Sequence, residues 1–217
     1  MNKTNRKKIS TDWYDENNIS ISNSVGIDEV GRGPLAGIVV TCAVWLDEIG
    51  VQMLIDSGLT VRDSKKLTFN SREKIINFLN ANRGEHIQYS IGEASVDEID
   101  SMNILQATMT AMCRAFFGLS KTSKIVLVDG NKTPNIENED VRSVIKGDDK
   151  VLSISLASII AKQHRDKIMI ELSKKYPQYG WDSNIGYGTK KHIEAIEKYG
   201  VTPYHRRSFS PIKEMVK

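Results

Sequence analysis

Cysteine is scarce: Cys42 and Cys113 are the only two in 217 residues, they lie in separate apolar segments, and no Cys-x-x-Cys spacing joins them. That excludes a disulfide framework and argues against a zinc centre, leaving two buried thiols. Long apolar runs are also missing. The stretch Ile38 to Leu46 is about half of the ~20 residues that a bilayer-crossing helix requires, and the basic, polar residues Asn2 to Ser10 lead into no apolar segment. No membrane partner is therefore expected, and the chain is placed in the cytoplasm. An excess of either charge is absent too: 30 Lys and Arg against 27 Asp and Glu give a net charge of +3, which permits an anionic partner without demanding one. There is no internal repeat or low-complexity stretch, which sets aside solenoid architectures.

What the sequence does contain is enough apolar material, 40%, for one good core with a small C-terminal annex. Basic residues gather at Lys3 to Lys8, Lys65-Lys66, Lys190-Lys191 and Arg206-Arg207, separated by acid-rich stretches, so a basic surface around an acidic centre is one possible arrangement. Residues 1–22 read as a polar, loosely ordered tail holding Trp13 and Tyr14 that could fold back on the body, and residues 23–217 as one domain.

The most informative segment runs from Gly26 to Gly37, Gly-Ile-Asp-Glu-Val-Gly-Arg-Gly-Pro-Leu-Ala-Gly. Two adjacent carboxylates, Asp28 and Glu29, run into a glycine–arginine–glycine turn. The same acidic dipeptide at 15–16, 47–48 and 97–98 has no such surroundings, so context does the selecting. Val25 and Ile27 before the pair and Ile38 to Leu46 after the turn predict a strand hairpin. Because neighbouring strand residues face opposite ways, both acids could serve one cluster only if the strand ended or bulged there.

Further along, a helix is predicted from about Ser71 to Ala81, capped by Asn70 with Glu73 answering, and a strand from His86 to Ile91. Ser95 and Glu98 form a capping-box pattern, and apolar residues from Ile104 to Phe116 recur at helical spacing until Gly118. Short strands over Lys124–Val128 and Arg142–Lys146 stop at Asp129-Gly130 and Gly147-Asp148. Ile154 to Leu172 is helical, with Ala157, Ile160 and Ala161 on the packed side and Lys162, Arg165 and Lys167 on the rest. A glycine-rich loop from Pro177 to Thr189 precedes a helix ending at Tyr199-Gly200. Helices alternating with short strands define an α/β domain around a mixed sheet.

Asp28-Glu29, Asp129 and Asp148 thus stand at the ends of predicted strands, where a sheet presents side chains to a ligand. Carboxylates gathered within a few Å repel one another unless a cation joins them, and hard oxygen donors favour Mg²⁺ or Mn²⁺. Two such ions about 4 Å apart suit an in-line phosphoryl displacement. Ordinary turns at Asp129-Gly130 and Gly147-Asp148 are the competing reading.

The strings GIDEVGRGPLAG, DSKKL (63–67), VDG (128–130), KGD (146–148), ASIIAKQHRD (157–166), GYGT (186–189) and HRRSF (205–209) occur in the order seen in ribonuclease HII, which the chain resembles from about residue 25 to 211. The resemblance implies an RNase H-like fold: a mixed central sheet flanked by helices, with a small helical C-terminal region that contacts substrate. It also implies cleavage of RNA in RNA–DNA hybrids and of DNA duplex containing single ribonucleotides, cut on their 5′ side to leave a 3′-hydroxyl and a 5′-phosphate. Asp28, Glu29, Asp129 and Asp148 map onto the family's catalytic acids at a two-metal site for Mn²⁺ or Mg²⁺, in a monomer. Gly31, Arg32 and Gly33 bring backbone close enough to contact a ribose 2′-hydroxyl, and Tyr187 resembles the family's tyrosine that stacks on the neighbouring deoxyribose. Lys65, Lys66, Arg206 and Arg207 suit phosphate contacts. His192 and His205 read as structural. The chain departs from bacterial relatives at Asn184-Ile185, where they show His-Lys, and at Ser155-Leu156-Ala157, where they run in alanines. Ribonuclease HIII, a sister family, differs by lysine in the glycine turn; a fold-sharing binding protein would have no use for four clustered acids.

Overall fold

Apolar residues on both faces bury a strand from two sides, and Val39 to Leu46 is such a run, so it lies in the middle of a sheet rather than at its edge. The computed structural model describes residues 9–61, 64–121 and 123–216. Its strands are β1 (Ser24–Val30), β2 (Val39–Leu46), β3 (Ile87–Ala94), β4 (Ile125–Asp129) and β5 (Asp140–Val144). They form one mixed sheet in the order β3-β2-β1-β4-β5, antiparallel between β1, β2 and β3 and parallel from β1 through β4 to β5. The helices in chain order are α1 (Asp12–Glu16), α2 (Glu48–Asp56), α3 (Phe69–Ala81), α4 (Val96–Met102), α5 (Ile104–Phe117), α6 (Gly147–Lys150), α7 (Leu152–Lys175), α8 (Trp181–Asn184), α9 (Lys190–Tyr199) and α10 (Ile212–Met215). This is the α/β, RNase H-like architecture expected, with a small helical C-terminal region.

Alternation along β1 sorts the two faces. Val25 and Ile27 join Ala43 and Trp45 against Met112, Ala115 and Phe116 of α5, whereas Ser24, Gly26 and Asp28 face α7. The approach of α7 is closest at Gly26, where a Cβ would stand 2.4 Å from the Ile154 backbone nitrogen, so only glycine fits. Every residue of α7 from Leu152 to Ala161 is buried, because the sheet covers one side and α3 and the chain's N-terminal segment the other. A helix apolar all round is a core helix. Leu35, Ala36, Met169, Tyr179, Trp181, Ala195, Ile196 and Ile212 make a separate cluster that holds the C-terminal helices against the glycine turn and the far half of α7.

Several local expectations change. Thr68, not Asn70, caps α3 by accepting from the Ser71 N–H, and Glu73 instead pairs with Lys167. Helical periodicity from residue 96 to 117 is interrupted at Asn103, whose φ of +72° separates α4 from α5 while its side chain caps the latter. The strand predicted to end at Lys146 ends at Val144. Within the loop from Pro177 to Thr189 lies the short helix α8. Tyr14, assigned to a loose tail, is buried and its hydroxyl meets Ser153 Oγ at 2.8 Å. The basic residues Lys3 to Lys8, and Asp63 of the DSKKL string, fall outside the described residues. No described helix is long and apolar enough to cross a membrane.

Candidate active site

The parallel register of β1 with β4 reaches Ile27↔Val128, so the next residues, Asp28 and Asp129, are carried side by side on the same face at the strand ends. Asp28 is only 5% exposed. Burial first, then the neighbouring charges of Glu29 and Asp129, push its carboxyl well above the usual carboxylate range, while the Ser158 hydroxyl on α7 partly offsets this. Glu29 is raised by burial as well and is steadied by Arg32, whose guanidinium donates to it at 3.2 Å. Of the two alternatives, a strand end or a bulge, the bulge is absent: pairing with β2 continues unbroken to Val30↔Val40, and β1 ends there, one residue past Glu29.

Asp148 sits not at a strand end but in the first turn of α6. Asp129 reaches across to that turn, its Oδ1 accepting the Gly147 N–H at 2.6 Å, and Ser155 Oγ donates to the Asp148 carbonyl. Among the described residues no three acidic, histidine or cysteine side chains converge tightly enough to enclose one metal ion in this conformation. What the structure does place together is a buried carboxyl pressed by two others, which is a donor set of hard oxygens short of positive charge. Such a set fits a divalent cation, and Asp28, Glu29, Asp129 and Asp148 are the residues that would hold it.

The glycine turn lies beside these acids. Gly31 takes φ +93° and a Cβ there would come within 2.2 Å of Arg165 Nε, so glycine is required twice over. Tyr187 is 48% exposed, and its ring edge is 3.6 Å from where a side chain on Gly33 would begin. The aromatic ring and the turn therefore border one surface. Lys65 is exposed on the turn Ser64–Lys66, whose Ser64 hydroxyl meets Ser158 at 2.9 Å, and Lys66 pairs loosely with Asp149. Arg207 is exposed, with its backbone N–H on Asp100.

Arg206 needs correction. Its side chain is fully buried and donates to the carbonyls of Gly31, Arg32, Pro34 and Gly37, so it braces the turn from beneath and lies out of reach of a phosphate at the surface. Arg165, assigned to the polar side of its helix, is buried likewise. Sequence reasoning missed it as a functional candidate, because an arginine amid Lys162 and Lys167 reads as solvated charge; only its place in the string ASIIAKQHRD marked it. Asp166 orders two basic neighbours, Arg72 and Lys162.

His192 and His205 are structural, and they position the tyrosine loop. His192 Nδ1–H donates to the Tyr187 carbonyl, its Nε2 accepts from Trp181, and His205 Nδ1 accepts from the Thr202 N–H. Burial, then the proximity of His192, push His205 down to about 4. The unfolded imidazole takes its proton near 6.5 and the folded one near 4, so stability is intact above 6.5 and falls by about 3 kcal/mol as the pH drops to 4. Urea midpoints across that range should fall more steeply for the wild-type protein than for His205→Gln.

A mixed sheet whose neighbouring strand ends carry Asp28 and Asp129 side by side, next to a backbone-exposing turn and an exposed aromatic ring, is the arrangement of a phosphodiester hydrolase of the RNase H-like class. The sequence pattern of the family Ribonuclease HII matches residues 25–212. The ribonuclease HII of Pelagibacter ubique is 47% identical over 88% of this chain and 97% of its own length, and that of Hydrogenovibrio crunogenus 49% identical over 88% and 87%. The crystal structure of the ribonuclease H2 from Pyrococcus horikoshii superposes with a TM-score of 0.72 at 28% identity, covering 88% of this chain and 96% of that one. The chain belongs to the ribonuclease HII family, endonucleases that hydrolyse the RNA of RNA–DNA hybrids.

Proposed function

We propose that this chain cuts on the 5′ side of ribonucleotides, single ones embedded in duplex DNA included, leaving a 3′-hydroxyl and a 5′-phosphate, and that it does so as a cytoplasmic monomer. The observation that carries the reading is the buried Asp28 carboxyl with Glu29 and Asp129 pressing on it. Asp28, Glu29, Asp129 and Asp148 would hold two Mg²⁺ or Mn²⁺ ions, which would supply Lewis-acid activation of water and offset negative charge on the departing 3′ oxygen. The protein's own groups do the rest. Ser158 orients Asp28 and Arg32 restrains Glu29 until the cations arrive.

Recognition of the ribose falls to the turn. Because the Gly31 and Arg32 carbonyls point inward to Arg206, the trans peptides aim the N–H groups of Arg32 and Gly33 the other way, where a 2′-hydroxyl oxygen can accept from them. Tyr187 lies against the adjoining sugar, a flat apolar face where DNA has no hydroxyl. Lys65 and Arg207 contribute phosphate contacts that give affinity without sequence preference.

A DNA duplex carrying one ribonucleotide, incubated with and without Mn²⁺, tests the assignment. Cleavage at a single position 5′ to the ribonucleotide, dependent on added metal, is expected. Cleavage of continuous hybrids alone would move the chain toward the behaviour of ribonuclease HIII, and binding without cleavage would make it a hybrid-binding protein.

A further inference from the structure

Two guanidinium groups, Arg165 and Arg206, lie buried beneath the recognition surface, and among the described residues neither hydrogen-bonds to a carboxylate, although Asp166 and Asp100 attract them from further off. Arg165 donates to Ile38 at 2.9 Å, Ala36 at 2.9 Å and Ile185 at 3.0 Å, all backbone carbonyls. The first two belong to the strand entry after the glycine turn, and the third to the loop that carries Tyr187. An arginine serving only the core would most simply sit on an acid, since a buried cation is costly unless paired. Here its acceptors are divided between two recognition segments, one at residues 36–38 and the other at residue 185, far apart in the chain.

Apolar packing of Leu35, Ala36 and Met169 with Ile185 lines the seam between those segments, and its backbone hydrogen bonds centre on Gly186. Gly186 O accepts the N–H of Leu35 at 2.8 Å and of Ala36 at 3.3 Å, and Gly186 has φ +83° with no room for a Cβ, which would stand 2.5 Å from the Ala36 carbonyl. Ile185, whose carbonyl Arg165 holds, has φ +50°. A β-branched residue in the left-handed region persists only where its surroundings over-determine it. Asn184 helps, accepting from the Gly186 N–H and donating to the Tyr179 carbonyl, and Met169 packs against both Gly37 and Gly186, but among the described residues it is the Arg165 side chain that hydrogen-bonds to both sides of the seam. Burial lowers Arg165 to about 10, which leaves it protonated at neutral pH and able to keep all three bonds.

We propose that Arg165 is a positioning residue for ribonucleotide recognition: its guanidinium ties the glycine turn to the Tyr187 loop, so that the turn's N–H groups and the tyrosine ring keep one fixed spacing. The inference rests on the roles proposed above for the turn and for Tyr187. It predicts a loss of discrimination beyond any loss of folded protein. A single ribonucleotide can be engaged in only one register, so a misplacement of about 1 Å is costly, on the order of 10²-fold. A continuous hybrid offers a 2′-hydroxyl at every step and many registers, and is more tolerant.

Arg165→Lys keeps the charge and loses the fork that reaches three carbonyls. With Mn²⁺ present, kcat/KM on a duplex with one ribonucleotide should fall roughly 10²-fold, against about 10-fold or less on a continuous hybrid. Combining it with Tyr187→Ala should cost little beyond the worse single variant, because both disable the same contact. If Arg165→Lys folds poorly, Gly186→Ala opens the same seam from the other side and should show the same substrate ratio and the same non-additivity. Equal losses on both substrates, scaling with the folded fraction and multiplying with Tyr187→Ala, would overturn the inference. A wild-type protein that fails to cut the single-ribonucleotide duplex would instead overturn the proposed function, and that outcome is read without any variant.

Discussion

Asp129→Asn should lower single-turnover cleavage of an RNA–DNA hybrid by at least ~10³-fold, the equivalent of about 4 kcal/mol of transition-state stabilisation, while leaving the thermal midpoint unchanged or raised. The two halves of that expectation have separate causes. Asparagine keeps an oxygen where Asp129 Oδ1 accepts the Gly147 N–H, so the turn that carries Asp148 stays pinned. It removes the charge that helps push the Asp28 carboxyl up, and so relieves repulsion in the metal-free protein. What it cannot supply is the hard, anionic oxygen with which Asp129 would help hold a divalent cation. Asp129→Ala, by contrast, gives up the pin as well and should melt earlier than Asp129→Asn. Fluorescence anisotropy with a labelled hybrid should show binding by the asparagine variant close to wild type. Wild-type turnover in that variant would remove Asp129 from the catalytic set.

Local signals made the hairpin, β4 and the capping box at Ser95 readable from sequence, since each rests on neighbours a few residues apart. The same Asp-Glu dipeptide proved to serve three ends: at 28–29 it faces the sheet's ligand edge, whereas Asp47 caps α2 and Glu98 closes the box on Ser95. Glycines after the first pair were the only distinguishing mark. The motif marks Asp148 as a candidate acid but does not show that it is helical, because Gly147-Asp148 has the chemistry of a turn and α6 is a single turn long. The arginines were the least legible. Nothing within ten residues of Arg165 or Arg206 announces burial; what buries them is the meeting of α7 with the C-terminal helices, a long-range event. Tyr14 is a similar case, an aromatic in a polar stretch whose partner, Ser153, lies 139 residues away.

The second large effect is on stability, and it separates two adjacent arginines that look alike in the sequence. Arg206→Met should cost at least about 3 kcal/mol, because four backbone carbonyls lose a charged donor at once while methionine roughly fills the space. For a chain of this size that is a fall in Tm on the order of 6–12 °C. Arg206 is lowered to about 9 by burial and by the nearby charge of Arg165, so it remains a cation at neutral pH and the substitution also relaxes that repulsion, which keeps the expected loss at the lower end. Arg207→Ala should leave Tm within about 1 °C, since its side chain is exposed and its backbone bond to Asp100 does not depend on it. If Arg207 touches phosphate, the same variant should weaken hybrid binding and flatten its salt dependence by about one unit of slope. A calorimetric scan of the two variants decides between them: equal, small shifts would mean that the carbonyls of the glycine turn find other donors, and the brace beneath the turn would then be dispensable.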